Sequence, residues 1–226
     1  MTVTREMGFA DIPALYGRMA GDEKHEWASA STLPVLWVLY DRVLDVAPDR
    51  VDDPSRDRFL LSKGHGPMAY YAVLAAKGFL DPSLLDTWTR WDSPLGLHPD
   101  RVLVPGVEIG SGSLGHGLPI GVGTAIGLGL QGGRQRVVVL IGDGELDEGS
   151  NHEAIAFASR MGLERLTVVV VDNRSGTHGW PGGVAARFAV EGWEAITVDG
   201  RDQDALHEAL LTPHVGTPLA VVAEVR

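Results

Sequence analysis

Val137, Val138, Val139, Leu140, Ile141, Gly142, Asp143, Gly144 and Glu145 form the stretch that decides the fold. Five aliphatic residues run straight into Gly-Asp-Gly-Glu, and Asn173 follows thirty positions after Asp143. A second apolar run, Leu166 to Val171, leads into Asp172 and Asn173. Two short β-branched runs separated by a helix-length segment read as a βαβ unit. Both polar clusters then fall just past the carboxyl ends of parallel strands, where open α/β sheets bind ligands. A carboxylate and an amide oxygen brought together there can share a hard cation. Mg²⁺ takes only one or two protein carboxylates and completes its octahedron with phosphate oxygens and water. Gly142 and Gly144 let the backbone come close to such a phosphorylated ligand.

Working outward, residues 8–20 read as a short amphipathic helix with Pro13 near its start. Leu33, Leu36, Trp37, Tyr40, Val43 and Leu44 recur at helical spacing and predict a helix over 32–46, with Pro34 in its first turn. Residues 48–58 read as a polar loop. A helix over 68–77 closes at Gly78. Asp81 and Pro82 open another as N-cap and first-turn proline. The stretch 93–112 shows no period and reads as an ordered functional loop. Leu114 to Leu130 is apolar almost all round and glycine-rich, which predicts a buried helix. Beyond the two strands, a short helix or turn is expected over 184–190, a strand over 195–198, a helix over 203–211 and a strand over 219–225. This alternation predicts an α/β fold with a mostly parallel sheet and helices on both faces.

At 226 residues the chain can bury one sizeable core, so a single domain over 1–226 is the expectation. The formal net charge is −11, with acidic residues spread along the chain. That argues against non-specific binding to nucleic acid or anionic membranes. No cysteine is present, which rules out disulfides, thiolate metal sites and a cysteine nucleophile within these residues. The N-terminal residues carry no signal-peptide pattern, and no run of about 18 apolar residues spans a membrane. A cytoplasmic protein is the simplest expectation.

Four segments resemble the N-terminal half of transketolase, a thiamine-diphosphate enzyme family. They are Arg56-Asp57-Arg58-Phe59-Leu60-Leu61-Ser62-Lys63-Gly64-His65-Gly66; His98-Pro99 with Pro105 to Glu108 and Gly112 to Gly117; Gly142 to Gly149; and Asp172-Asn173 with Val198-Asp199-Gly200 downstream. They keep the family's order and spacing over roughly residues 22 to 226. The resemblance implies the thiamine-diphosphate-binding (transketolase diphosphate-domain) fold, with thiamine diphosphate and Mg²⁺ (or Ca²⁺ or Mn²⁺) as cofactors. Asp143 and Asn173 match metal-ligand positions, and the backbone carbonyl of Ser175 matches the third. His65 and Gly144 match contacts to the diphosphate and thiazolium. Gly142 and Glu145 belong to the same cofactor motif. Gly112 and Leu114 match the wall near the aminopyrimidine. His65, His98 and His25 match catalytic positions, His98 and His25 facing the substrate's reacting carbons, and Glu148 matches an acid at the subunit interface.

The chain departs from the family at several points. His25 stands in Lys24-His25-Glu26-Trp27-Ala28 rather than in a glycine-rich turn. His116 replaces a common glutamine, Thr177 a usual apolar residue, and Arg201 the histidine of Asp-Gly-His. The chain carries no second βαβ block, whereas the family's activating glutamate lies in a separate pyrimidine-binding domain. The expectation is therefore one component of a two-component carboligase, with two copies of each subunit. It would transfer a two-carbon ketol unit from a ketose to an aldehyde acceptor. A 2-oxo acid decarboxylase or dehydrogenase component, and a non-catalytic regulatory subunit retaining the fold, are the alternatives.

Overall fold

A computed structural model describes residues 7–19, 29–176 and 179–225. Five strands build one sheet: β1 (Arg58–Leu61), β2 (Val137–Gly142), β3 (Leu166–Asp172), β4 (Glu194–Asp199) and β5 (Leu219–Glu224). All four pairings are parallel, in the order β1-β2-β3-β5-β4. The helices are α1 (Ile12–Tyr16), α2 (Leu33–Val38), α3 (Pro67–Ala76), α4 (Gly117–Leu130), α5 (Gly149–Arg160), α6 (Val184–Ala189) and α7 (Gln203–Leu210). Among the described residues no helix is long and apolar enough to cross a membrane.

The three central strands β2, β3 and β5 are nearly unbroken runs of Val, Leu, Ile and Ala because both faces of the sheet are covered there, whereas the edge strand β4 alternates with Glu, Thr and Asp and is partly exposed. Side chains alternate between faces. Val138, Leu140, Val169, Val171, Val221 and Ala223 join one core with α1, α2, α3 and α7. Val137, Val139, Ile141, Val168, Val170 and Val222 join a second with α4, α5 and α6. The strand order explains this division. From β1 through β2 and β3 to β4 the chain advances in one direction, and it turns back only to lay down β5. Right-handed crossovers put α4, α5 and α6 on one face and α7 on the other.

The structure departs from the sequence expectations in three places. Residues Arg58–Leu61, expected to follow a loop and assigned no strand, form the edge strand β1 beside β2. The helix expected over 32–46 is α-helical only to Val38. It continues as a π turn over Leu39–Val43, where the Leu44 N–H reaches back to the Leu39 carbonyl at 2.8 Å. The helix over Gly117–Leu130 is not buried all round. Leu118, Gly121, Val122 and Ala125 face the sheet, while Ile120 and Leu130 are exposed at 45% and 86%. Its all-apolar composition described both faces alike, and only packing separates them.

The amino end of the sheet is pinned by one carboxylate. Asp57, 5% exposed, accepts from the backbone N–H of Asp45 (2.9 Å) and of Arg136 (2.8 Å), and from Arg136 Nε (3.0 Å) and Nη2 (2.7 Å). It thereby joins the residue before β1 to the residue before β2. Removing a buried carboxylate with this many donors leaves them unpaired. Asp57→Ala is expected to lower stability by about 2 to 4 kcal/mol, read as a reduced urea midpoint with an unchanged slope.

Candidate active site

Asp143 is the first residue past β2, and its N–H still donates to the Val171 carbonyl of β3 at 3.2 Å. Its side chain therefore starts from the sheet itself and is 8% exposed. Ser175 Oγ donates to Asp143 Oδ1 at 2.7 Å, and the Gly176 N–H donates to Oδ2 at 2.8 Å. Asn173 enters the same turn, its Oδ1 accepting the Ser175 N–H at 3.2 Å. Asn173 Nδ2 donates to Ser31 Oγ at 3.3 Å, which sets which way round the amide stands. The Ser175 carbonyl lies 3.5 Å from where a Cβ on Gly144 would stand. One turn thus gathers a carboxylate, an amide oxygen and a main-chain carbonyl. These are hard oxygen donors of the kind Mg²⁺ takes. The described residues contain no group of three or more His, Cys, Asp or Glu side chains suited to a metal. A cation here would rely on the amide and carbonyl oxygens and on oxygens of its ligand.

Glu145 is 3% exposed, and its carboxylate points into the protein. It accepts from Ser62 Oγ, from the Gly115 N–H at 3.0 Å and from the Gly142 N–H at 3.3 Å. Ser62 Oγ in turn accepts the Gly117 N–H at 2.9 Å. The segments after β1, before α4 and after β2 therefore meet at this carboxylate. A Cβ on Gly117 would stand 2.2 Å from Ser62 Cβ, so the approach of α4 to β1 requires glycine there. Burial pushes the Glu145 carboxyl above its ordinary range, against the pull of its donors and of Lys63. Its side chain joins loops, so any cofactor contact at this position falls to the backbone.

The turn after β1 carries Gly64 and the exposed His65. His98, from the long loop, lies across it. His98 Nδ1 is 2.8 Å from the Gly64 carbonyl, an oxygen that can only accept. Nδ1 is therefore the donor, and Nε2 of the neutral ring is the acceptor. Gly112, at φ 119°, closes against the same ring, and a Cβ there would stand 2.8 Å from His98 Cδ2. Leu114 stands beside this loop, 38% exposed. His65, His98, Gly112, Asp143, Gly144 and Asn173 thus line the carboxyl end of the sheet. His25 and Thr177 lie outside the described residues. Glu148 is the exposed N-cap residue of α5, and Arg201 is exposed after β4.

Sequence reasoning missed the polar segment Ser29 to Thr32. Ser29, Ser31 and Thr32 are 0%, 4% and 2% exposed. Ser29 Oγ donates to the Gly66 carbonyl at 3.0 Å and accepts the Ala69 N–H at 2.9 Å. Ser31 holds Asn173, and Thr32 Oγ1 accepts from Lys63 Nζ at 2.6 Å. Three hydroxyls close together ahead of a helix were the available signal. Lys63, 6% exposed, is a buried cation in the same site. Burial pushes its ammonium down to about 8, while Asp143 and Glu145 favour the charged form. Beside this arrangement an open cleft of about 510 Å³ shares Asp143 and Gly176 and is walled by Trp180, Arg187 and His152.

The family described as transketolase, thiamine diphosphate binding domain, matches residues 20–219. The chain belongs to that family. A Rhodococcoides fascians protein named ferredoxin fas2 is 59% identical over 221 residues, covering 97% of this chain and 73% of that one. Iron–sulfur clusters are held by cysteine thiolates, and this chain has no cysteine, so that name has no counterpart in these residues. A protein of Phocaeicola vulgatus, named as one subunit of an apulose-4-phosphate transketolase, is 35% identical over 199 residues, covering 85% of this chain and 69% of that one. Transketolase from Leishmania mexicana shares the fold, with a TM-score of 0.80 at 24% identity. That match covers 97% of this chain but 37% of the transketolase chain.

Glu145→Ala leaves the Ser62, Gly115 and Gly142 donors facing a void. A loss of about 2 to 4 kcal/mol is expected by chemical denaturation. Lys63 gives a pH signature. Its folded value of about 8 lies below the ordinary 10.5, so the unfolded chain holds the proton more tightly between these values. Its contribution to stability is complete above 10.5 and is lost as pH falls through 8. Denaturation at a series of pH values should show the parent protein gaining on Lys63→Met as pH rises across this window.

Proposed function

We propose that this chain is the diphosphate- and metal-binding subunit of a two-component, thiamine-diphosphate-dependent carboligase. Residues 1–226 form one diphosphate-binding domain in this reading. The enzyme transfers a two-carbon ketol unit from a ketose donor to an aldehyde acceptor. The observation that carries it is the turn uniting the Asp143 carboxylate, the Asn173 amide oxygen and the Ser175 carbonyl at the ends of β2 and β3. Membership of the transketolase family supplies the cofactor: a diphosphate ester whose oxygens complete the coordination of Mg²⁺.

When bound, thiamine diphosphate supplies a carbon nucleophile and an electron sink. The residues of this chain do the rest of the work assigned to it. Asp143, Asn173 and the Ser175 carbonyl hold the metal. Gly142, Gly144 and the Glu145 backbone allow close approach of the phosphates, and His65 adds a polar contact to the diphosphate. Gly112 and Leu114 line the side toward the aminopyrimidine. His98, with Nδ1 committed to the Gly64 carbonyl, offers Nε2 as an acceptor for a substrate hydroxyl. His25 is assigned to the same substrate side by motif position alone.

A separate pyrimidine-binding subunit completes the site, with two copies of each chain in the assembly. One observation supports a partner: the Phocaeicola vulgatus relative carries the name of one subunit of a transketolase, not of a whole one. The pyrimidine partner contributes the acid that activates the far end of the cofactor, which the Glu145 to Glu148 stretch does not reach.

Calorimetry of the chain with Mg²⁺ and thiamine diphosphate, alone and mixed with the pyrimidine-domain subunit, tests this directly. Tight binding and ketol transfer are expected only in the mixture. Full turnover by this chain alone would sink the two-component reading. In the mixture, Asp143→Ala is expected to weaken Mg²⁺-dependent cofactor binding by at least about a hundredfold, a loss of ~2.7 kcal/mol, with unchanged circular dichroism.

A further inference from the structure

His98 stands in the least packed part of its loop. Leu95 and Pro99 on either side are buried, but Gly96 has no side chain, Leu97 is 57% exposed and His98 is exposed. Apolar contacts therefore do not fix the backbone of 96–98, and the glycine adds conformational freedom at its start. Hydrogen bonds hold it instead. The Gly96 carbonyl accepts from Tyr71 Oη at 3.1 Å and from Trp88 Nε1 at 3.3 Å. Both donor residues are buried, Tyr71 at 0% and Trp88 at 5% exposed. Further along the same loop, His98 Nδ1 donates to the Gly64 carbonyl at 2.8 Å. Gly64 lies in the turn that leads into α3, and Tyr71 lies on α3 itself. One rigid unit thus grips the loop at two points, on the peptide before the histidine and on its ring.

We propose that Tyr71 is a positioning residue for His98: by fixing the Gly96 carbonyl it sets the place of the imidazole that meets the substrate. This rests on the reading given under Proposed function, in which His98 Nε2 accepts from a substrate hydroxyl. The Gly96 carbonyl has two lone pairs, and the two side chains take both of them. The peptide between Gly96 and Leu97 cannot turn over without leaving two buried donors unpaired. Trp88 ties the carbonyl to the segment that precedes it in the chain, whereas Tyr71 ties it to α3, the helix that follows the Gly64 turn. Burial pushes the Tyr71 hydroxyl well above its ordinary range, so it stays protonated, and a donor, across neutral pH. A displacement of about 1 Å at a reacting group can cost on the order of a hundredfold in rate. A hydroxyl that acts only through the loop can therefore matter to the reaction.

The test is Tyr71→Phe, which removes one oxygen and keeps the buried ring. In the complex with the pyrimidine-domain subunit, kcat is expected to fall about tenfold, with Mg²⁺-dependent cofactor affinity within about twofold of the parent protein. In a His98→Gln background the same substitution is expected to change kcat by less than about twofold, because it acts through the imidazole. A purely structural role would lower kcat by the same factor in both backgrounds, and that result would overturn the proposal. Unchanged kcat in a folded Tyr71→Phe would do so as well.

A second readout needs neither the partner nor turnover. With ¹⁵N-labelled histidine, at a pH where the ring is neutral, the signals that vanish in His98→Gln belong to His98. In the parent protein they are expected at the well-separated positions of a ring protonated on Nδ1. In Tyr71→Phe they should move toward each other as the second tautomer gains population. Signals that stay fixed refute the positioning role. Should Tyr71→Phe fail to fold, Trp88→Phe removes the other donor to Gly96 and is expected to move the same signals in the same direction; fixed signals there overturn the clamp. No ketol transfer by the parent complex would overturn the functional reading, and the histidine signals would still decide the clamp.

Discussion

Glu145 is where the structure of the site is decided. A carboxylate removed from water must be given donors, and the three it has come from three different parts of the chain: Ser62 after β1, Gly115 before α4 and Gly142 at the end of β2. Each of these segments also carries a residue that faces the ligand region. Lys63, Gly64 and His65 follow Ser62, Gly112 and Leu114 precede Gly115, and Asp143 follows Gly142. The requirement to satisfy one buried charge therefore sets the spacing of loops far apart in sequence. Because burial disfavours the ionised form, these donors oppose a penalty that would otherwise leave the carboxyl neutral.

The second organising feature is the row of hydroxyls from Ser29 to Thr32. It lies just before α2, on the face of the sheet that also packs α3. Ser29 secures the turn after His65, Ser31 orients Asn173, and Thr32 holds Lys63. Short side chains with one donor and two acceptor positions suit this task, because they span gaps between main-chain turns with little rotamer freedom to lose. The site is thus held from both sides of the sheet edge: by the Glu145 network on the α4 side and by the hydroxyl row on the α2 side. The Asp143 turn lies between them.

Several features of the chain lie outside this arrangement. The open face of α4, with Ile120 and Leu130 exposed, continues an all-apolar sequence into solvent. Arg187, 5% exposed, donates to His152 Nδ1 from Nε at 3.0 Å and stands over the Trp180 ring at 5.0 Å. That contact makes His152 Nδ1 an acceptor, so its ring proton sits on Nε2 when the ring is neutral. The three side chains form the far wall of the cleft that begins at Asp143.

Read alone, the sequence determined the class of fold and the location of the ligand region. Runs such as Val137 to Ile141 and Leu166 to Val171 are long enough and β-branched enough to be strands, and parallel strands bring their polar ends to one edge. Asp143 and Asn173 were legible for that reason, since a strand places its next residue without reference to the rest of the chain. β1 was not legible: four residues with an arginine at the start carry too little pattern, and the strand exists because β2 offers it a partner. The direction of Glu145, the burial of Lys63 and the bond from Ser31 to Asn173 were decided by tertiary structure alone. They join residues 31 to 142 positions apart, or turn on which side of a loop faces water, and no local pattern encodes either.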